Sequence, residues 1–194
     1  MQHLSYTAAV NPDDPRARRT RERLRAAALE LAGERELSAI TMSLIARRAA
    51  INRATVYAHY ADLDALVTDA MDDAIGRLAR AAALCPLQAP RDAPPPPLLD
   101  LFTEVEAGAV LYRRMLSEGG SARFARRMQH RLAGGLAERF AQGRRPPGAA
   151  DVPLDLHAGY LAGALCGVIT TWISADPPVP AADAALATWR MLRV

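Results

Sequence analysis

Apolar residues recur at steps of three and four along most of the chain, the period of an amphipathic helix. No segment of useful length alternates with the period of two that a strand requires. The pattern predicts an all-α protein. Asp14-Pro15 opens a first helix with an acidic cap and a proline at the first helical position. Leu24, Ala28 and Leu31 share one face of it, and Gly33 is expected to end it. A short helix is predicted over 42–49, with Thr41 as its cap and Leu44, Ile45 and Ala49 inward. Ala50-Ile51 makes a turn, and Asn52 caps a third short helix over 53–60 with Val56 and Tyr60 inward.

Asp62 starts a fourth, long helix, because Leu63, Leu66, Val67, Ala70, Met71, Ala74, Ile75 and Leu78 keep helical spacing without a break. It is expected to end near Cys85-Pro86. The proline-rich run 86–97 predicts an extended, solvated, poorly ordered connection. Helical pattern resumes at Leu98, runs through Leu116 and breaks at Gly119-Gly120. Ser121 caps a helix carrying Phe124, Met128, Leu132, Leu136 and Phe140 at steps of four. Arg123, Arg126, Arg127, Arg131 and Arg139 lie off that stripe. Two further helices are expected over 153–175 and 181–192, separated by Pro177, Pro178 and Pro180.

Charge adds a direction to this picture. Net charge is only +3, but residues 15–60 hold ten Arg against Glu22, Glu30, Glu34 and Glu36, while the remainder is almost balanced. A basic first quarter on a near-neutral body suits either a polyanion partner for that quarter or a solvated helix face. With 51% hydrophobic and 23% charged residues the chain can bury a core. Cys85 and Cys166 are far apart, without the spacing of a disulfide framework or zinc site. The first eleven residues lack the basic-then-apolar order of a signal peptide, so a cytoplasmic location is expected. Residues 156–174 carry no Asp, Glu, Arg or Lys and are long enough to span a bilayer. Their three glycines, His157 and the lack of a basic anchor fit a helix buried at a subunit interface better, so no membrane partner is expected.

Three short helices, the last two joined by a tight turn, predict a helix-turn-helix with 53–60 as the recognition helix. Arg53 is long enough to reach a guanine edge. Thr55 suits a thymine methyl or a phosphate. Tyr57 and His59 could donate to phosphate oxygens, although either could instead be packed.

These residues also carry a family resemblance. The run Thr41-Met-Ser-Leu-Ile-Ala46, then Ala49-Ala-Ile-Asn-Arg-Ala-Thr-Val-Tyr-Ala-His-Tyr60, then Asp62-Leu-Asp-Ala-Leu66 resembles the TetR family of regulators over residues ~16–68. The resemblance implies a three-helix DNA-binding domain followed by a larger helical ligand-binding and dimerisation domain. It implies DNA contacts at Ser43, Arg53, Ala54, Thr55, Tyr57 and His59, beside the caps Thr41 and Asn52. Two positions depart from the family pattern. Ala50 stands where the family has a turn glycine, so the turn must either avoid positive φ or carry strain. Leu63 replaces a lysine that contacts phosphate, which lowers the expected salt dependence.

The expected organisation is therefore an arm over 1–13, expected to be disordered, a DNA-binding domain over 14–61, and a ligand-binding and dimerisation domain over 62–194. Candidate pocket walls are Met71, Phe102, Val105, Tyr112, Met115, Phe124, Met128, Tyr160 and Trp172. For each taken singly, plain core is the commoner role of such a residue. Gly159, Gly163 and Gly167 recur every four residues and, with Ile169, Leu186 and Trp189, form the candidate dimer interface. His130 and His157 lack ligand partners at helical spacing, so no metal is expected. The chain shows no phosphate loop, nucleophile elbow or catalytic carboxylate pair, so no enzyme activity and no cofactor are expected. The implied function is a regulator, a repressor by resemblance, that binds a palindromic double-stranded operator as a homodimer and is released by a small molecule. A ligand-independent DNA-binding factor, a helical enzyme or carrier, and a membrane-anchored regulator are the alternatives.

Overall fold

The computed structural model describes residues 14–146 and 151–192. Among them are ten α-helices, one 3-10 turn and no strand. The expected arm over 1–13 lies outside the described residues. The chain divides into two compact units, the first ending at Ala70 and the second beginning at Met71.

The first unit holds α1 (Pro15–Glu34), a 3-10 turn (Leu37–Ala39), α2 (Met42–Arg48), α3 (Arg53–His59) and α4 (Leu63–Ala70). Asp14 caps α1 by accepting from the Arg16 amide at 2.9 Å. Gly33 does not end this helix. It sits inside the last turn, where a Cβ would meet nothing within 4 Å, and the chain leaves the helix at Arg35. Leu24, Ala28 and Leu31 are fully buried. Helix α1 packs against α4 and α2.

The unit reaches nine residues beyond the expected boundary at 61, because α4 belongs to its core. Leu66 and Val67 are buried, and the Tyr60 hydroxyl donates to Asp69 at 2.5 Å. The expected long fourth helix is therefore two helices. At Met71 the backbone takes φ −94° and ψ 1°, off helical values, and α5 (Asp72–Leu84) follows. Nothing in the apolar spacing marks this break, since Met71 is itself buried.

The second unit continues with α6 (Pro96–Ala107), α7 (Ala109–Leu116), α8 (Ala122–Ala141), α9 (Leu154–Ser174) and α10 (Ala181–Leu192). Helix α8 is central, packing on α5 and on α9, while α6 packs on α5 and α10. The crossing of α8 on α5 is close: a Cβ on Gly135 would lie 3.3 Å from the Ala79 carbonyl oxygen. The single helical stretch expected over 98–116 is broken at Gly108. The Gly119-Gly120 break has a steric cause. A Cβ on Gly120 would fall 2.3 Å from the Met115 carbonyl oxygen, which also accepts from the Ser121 amide. Ser121 then caps α8, accepting from the Phe124 amide at 2.9 Å.

The proline-rich segment is not the loose linker expected. Trp189 donates its indole N–H to the Pro90 carbonyl at 2.6 Å, and Arg91 donates to the Arg190 carbonyl at 3.2 Å. Pro96 and Pro97 enter the first turn of α6, where a missing N–H costs nothing. Other long side chains close helix ends. Arg113 donates to the Ile173 carbonyl at 2.7 Å, and Glu106 accepts from the Ala181 amide at 3.0 Å. Helix α9 is long and apolar enough to cross a membrane by length and composition. Ala158, Leu161, Ala162, Leu165, Ile169, Trp172 and Ile173 are nevertheless buried in the bundle.

Candidate nucleic-acid interface

The helix-turn-helix is built from local hydrogen bonds. The Thr41 hydroxyl accepts from the Leu44 amide at 3.2 Å and opens α2. The Ile51 amide donates to the Ala46 carbonyl at 2.9 Å and the Ala50 amide to the Arg47 carbonyl at 3.1 Å. That pair of bonds is a Schellman closure, in which the residue past the cap takes a left-handed conformation. Here the residue is Ala50, with φ +49°, the one described non-glycine residue at positive φ. The turn therefore carries the strain that the sequence raised as one of two possibilities. Arg23 reaches from α1 to this turn and donates to the Ala49 carbonyl at 2.5 Å and the Ala50 carbonyl at 3.2 Å. Asn52 then caps α3, accepting from the Ala54 amide at 2.8 Å.

Val56 is fully buried and Tyr60 is 7% exposed, so they root α3 in the unit. The opposite face is open. Asn52, Arg53, Ala54 and Tyr57 are exposed, Thr55 and His59 are half-buried, and on α2 Thr41 is exposed and Ser43 half-buried. Arg53 lies over the Tyr57 ring, 5.5 Å from its centroid, so the guanidinium is held on the helix surface by a cation–π contact. Tyr57 is 47% exposed, which answers the packing alternative for that residue.

His59 is divided between the two roles. Its Nδ1 is enclosed without a hydrogen-bond partner. Burial, and then the positive charge of Arg21, push its pKa down, so the imidazole is neutral near pH 7.

The basic excess of this unit is partly spent inside it. Arg48 pairs with Glu34 through two 2.8 Å bonds and with Glu30 at 3.2 Å. Arg47 and Arg53 remain on the surface of the motif. Sequence reasoning missed Arg23 and the Tyr60–Asp69 bond, which position the motif without facing outward. Helical periodicity gives no signal for either.

Residues 24–70 match the model of the bacterial regulatory proteins of the tetR family, and the match covers α2, α3 and α4 whole. Over that stretch, about a quarter of the chain, the sequence is similar to the DNA-binding domain of the tetR family. No curated protein matches it. Solved TetR-family structures share the fold. A TetR transcriptional regulator from Streptococcus agalactiae 2603V superposes with a TM-score of 0.64 at 17% identity, over 92% of this chain and 96% of that one. A TetR-family regulator from Streptomyces coelicolor gives 0.61 at 19% identity, over 90% and 79%. NalD of Pseudomonas aeruginosa, the secondary repressor of the MexAB-OprM multidrug efflux pump, gives 0.58 at 18% identity, over 91% and 95%. At these identities the likeness is one of fold.

The remaining TetR-family expectations concern the second unit. Met71, Phe102, Val105, Tyr112, Met115, Phe124, Met128 and Trp172 are buried there. Phe102 meets Trp172 at 5.1 Å between ring centroids, and Tyr112 meets Phe124 at 6.2 Å. Tyr160 does not join them. It is 70% exposed and borders an apolar groove of about 690 Å³ between α9 and α10, shared with Val168, Trp172, Thr188 and Met191. Tyr112 is 1% exposed, yet its hydroxyl has no hydrogen-bond partner.

Two of the expected dimer-interface residues are also displaced. Ile169 and Trp189 are fully buried within their own chain, so they have no surface left to offer a partner. Helix α9 is apolar nearly all round, and its spacing does not say which face is inward. Gly159, Gly163 and Leu186 are half-buried and Gly167 is exposed.

Proposed function

We propose that this protein is a transcription regulator that binds a palindromic operator as a homodimer and is released from it by a small molecule. The observation that carries the DNA-binding part is the capped, rooted helix α3, which presents Arg53 beside Tyr57 on an open face. Such a helix in the major groove reads base edges through its N-terminal residues, while hydroxyls and ring N–H groups at its margins fix register on phosphate. Arg53 is assigned the base contact. Thr41, Ser43, Asn52, Thr55, Tyr57 and His59 flank it on the phosphate backbone, with Ala54 packed against the DNA.

Homodimerisation is supported by the second unit. Leu156, Tyr160 and Met191 are 58–70% exposed, and they flank or line the apolar groove of α9 and α10. A contiguous apolar face of this size marks an interaction surface. Two recognition helices in one dimer read half-sites about one DNA turn apart, ~34–36 Å.

The effector reading is supported by the partnerless Tyr112 hydroxyl in an apolar, Met- and aromatic-rich interior. A ligand that supplied a hydrogen-bond acceptor there would gain what the empty protein lacks. A coupling of ~1–3 kcal/mol between sites would change operator affinity ~5–150-fold. A second reading, a ligand-independent DNA-binding factor, is favoured by a different observation. Six of the expected pocket walls, Phe102, Val105, Tyr112, Met115, Phe124 and Met128, are at most 1% exposed, which is the burial of ordinary core.

The deciding experiment selects bound fragments from the source genome and then shifts the best one with wild type and Arg53→Ala. A palindromic site whose recognition falls by ~1–3 kcal/mol in the variant supports the regulator reading. Equal binding to all sequences sinks it. Titrating the operator complex with apolar compounds bearing one acceptor group separates the ligand-released from the ligand-independent form.

A further inference from the structure

At the end of the second unit, where α5 and α8 both stop, a hollow of about 260 Å³ opens between two loops. Cys85, Pro86, Leu87 and Gln88 form one wall. Arg139, Arg144 and Arg145 line the other. No Asp or Glu lines it. Glu138 and Asp151 are exposed and take no part in its walls, and residues 147–150 are Pro-Gly-Ala-Ala.

The three guanidinium groups are not neutralised. Arg145 is fixed by donating from Nε to His157 Nδ1 at 3.2 Å and from Nη2 to the Val152 carbonyl, while the His157 ring packs on Phe140 at 5.0 Å between centroids. Both acceptors are uncharged, since an imidazole that accepts at Nδ1 is the neutral form. Among the described residues neither Arg139 nor Arg144 has a carboxylate partner. Elsewhere in the same unit Arg77 sits on Glu104 and Arg127 on Asp72, so pairing is the local habit that this corner lacks. The C-terminus of α8 does not explain the cluster. Its carbonyls at Glu138, Arg139 and Phe140 already accept from the Gln142, Gly143 and Arg144 amides. The helix dipole offers roughly half a negative charge against three positive ones.

We propose that this hollow binds a small oxyanion, a phosphate group held by Arg139, Arg144 and Arg145. Guanidinium groups match phosphate by paired N–H donors, and three of them suit a group carrying between one and two negative charges near pH 7. The volume lies below the range of drug-sized sites, which fits a compact head group rather than a large ligand. The site stands apart from the DNA-binding reading and does not depend on it.

The test is calorimetric titration of the full chain with inorganic phosphate, glycerol 3-phosphate and acetate at low salt. One phosphate group is expected to bind per chain, at least tenfold more tightly than acetate. Arg139→Gln with Arg144→Gln should weaken it tenfold or more, or Arg144→Gln alone if the pair lowers the melting temperature. Arg123→Gln with Arg126→Gln, on the same helix but outside the hollow, should leave it unchanged. A preference for glycerol 3-phosphate assigns the site to a phosphate ester and a preference for inorganic phosphate to the free ion; either supports the proposal. No one-to-one binding, or equal loss in the control pair, overturns it. Operator binding, read separately by gel shift, would survive either result.

Discussion

At the scale of single residues, two positions carry a cost that a substitution can remove. Ala50 holds φ +49° so that the Ile51 and Ala50 amides can close α2. A left-handed alanine costs ~1–2 kcal/mol relative to glycine, and glycine loses ~0.5–1 kcal/mol more backbone entropy on folding. Ala50→Gly is therefore expected to raise the stability of the first unit by up to about 1 kcal/mol in urea unfolding. A lower midpoint would mean that the turn is unstrained. Tyr112 is the second position. Its hydroxyl is buried and bonded to nothing among the described residues, and burial holds the phenol protonated. Removing an unsatisfied buried hydroxyl returns roughly 1 kcal/mol, so Tyr112→Phe should melt higher than wild type. A drop in melting temperature would show that the hydroxyl has a partner and would remove the support for an effector there. The caps at Asp14, Thr41, Asn52 and Ser121 were legible in the sequence because a cap is a local event, read from two to four adjacent residues. The bond from Arg23 to the turn was not legible, since it joins residues 26 positions apart through a flexible side chain.

Helices were read more surely than their interruptions. Periodicity located α2, α3, α8 and α10 within a residue or two, but it ran straight through Met71 and Gly108. Each of those breaks leaves the apolar spacing intact, and a change of direction is set by what the next helix packs on. The proline-rich segment was misjudged for a related reason. Composition describes a chain without partners, whereas here the partner is Trp189, 99 residues away, bonded to Pro90. The segment should depend on that contact. Trp189→Phe keeps most of the apolar bulk and loses the N–H, so trypsin is expected to cut after Arg91 several-fold faster than in wild type while far-UV ellipticity is unchanged. Equal cleavage rates would show that the segment is ordered by other contacts, such as Arg91 on the Arg190 carbonyl.

For the molecule as a whole, the residues that matter for assembly are those the bundle leaves outside. The glycine repeat on α9 pointed to that helix as an interface, and burial sorts its faces. Ile169 and Trp172 turn inward, while Leu156 and Tyr160 stay exposed. If two copies join through that outer face, a charge placed at its centre must be desolvated without a partner. Tyr160→Arg is expected to convert the dimer to a monomer at micromolar concentration in light scattering, with helical content retained. The consequence for DNA follows from linkage between half-sites. A dimer that has bound one half-site meets the second at high effective concentration, so losing the link costs ~10²–10⁴-fold in affinity without touching Arg53. The variant should then bind a single half-site as weakly as wild type does, with about half the salt slope of the intact palindrome complex. A Tyr160→Arg protein that remains dimeric would place the interface elsewhere. A monomer that held the palindrome at full affinity would mean that each chain reads its site alone.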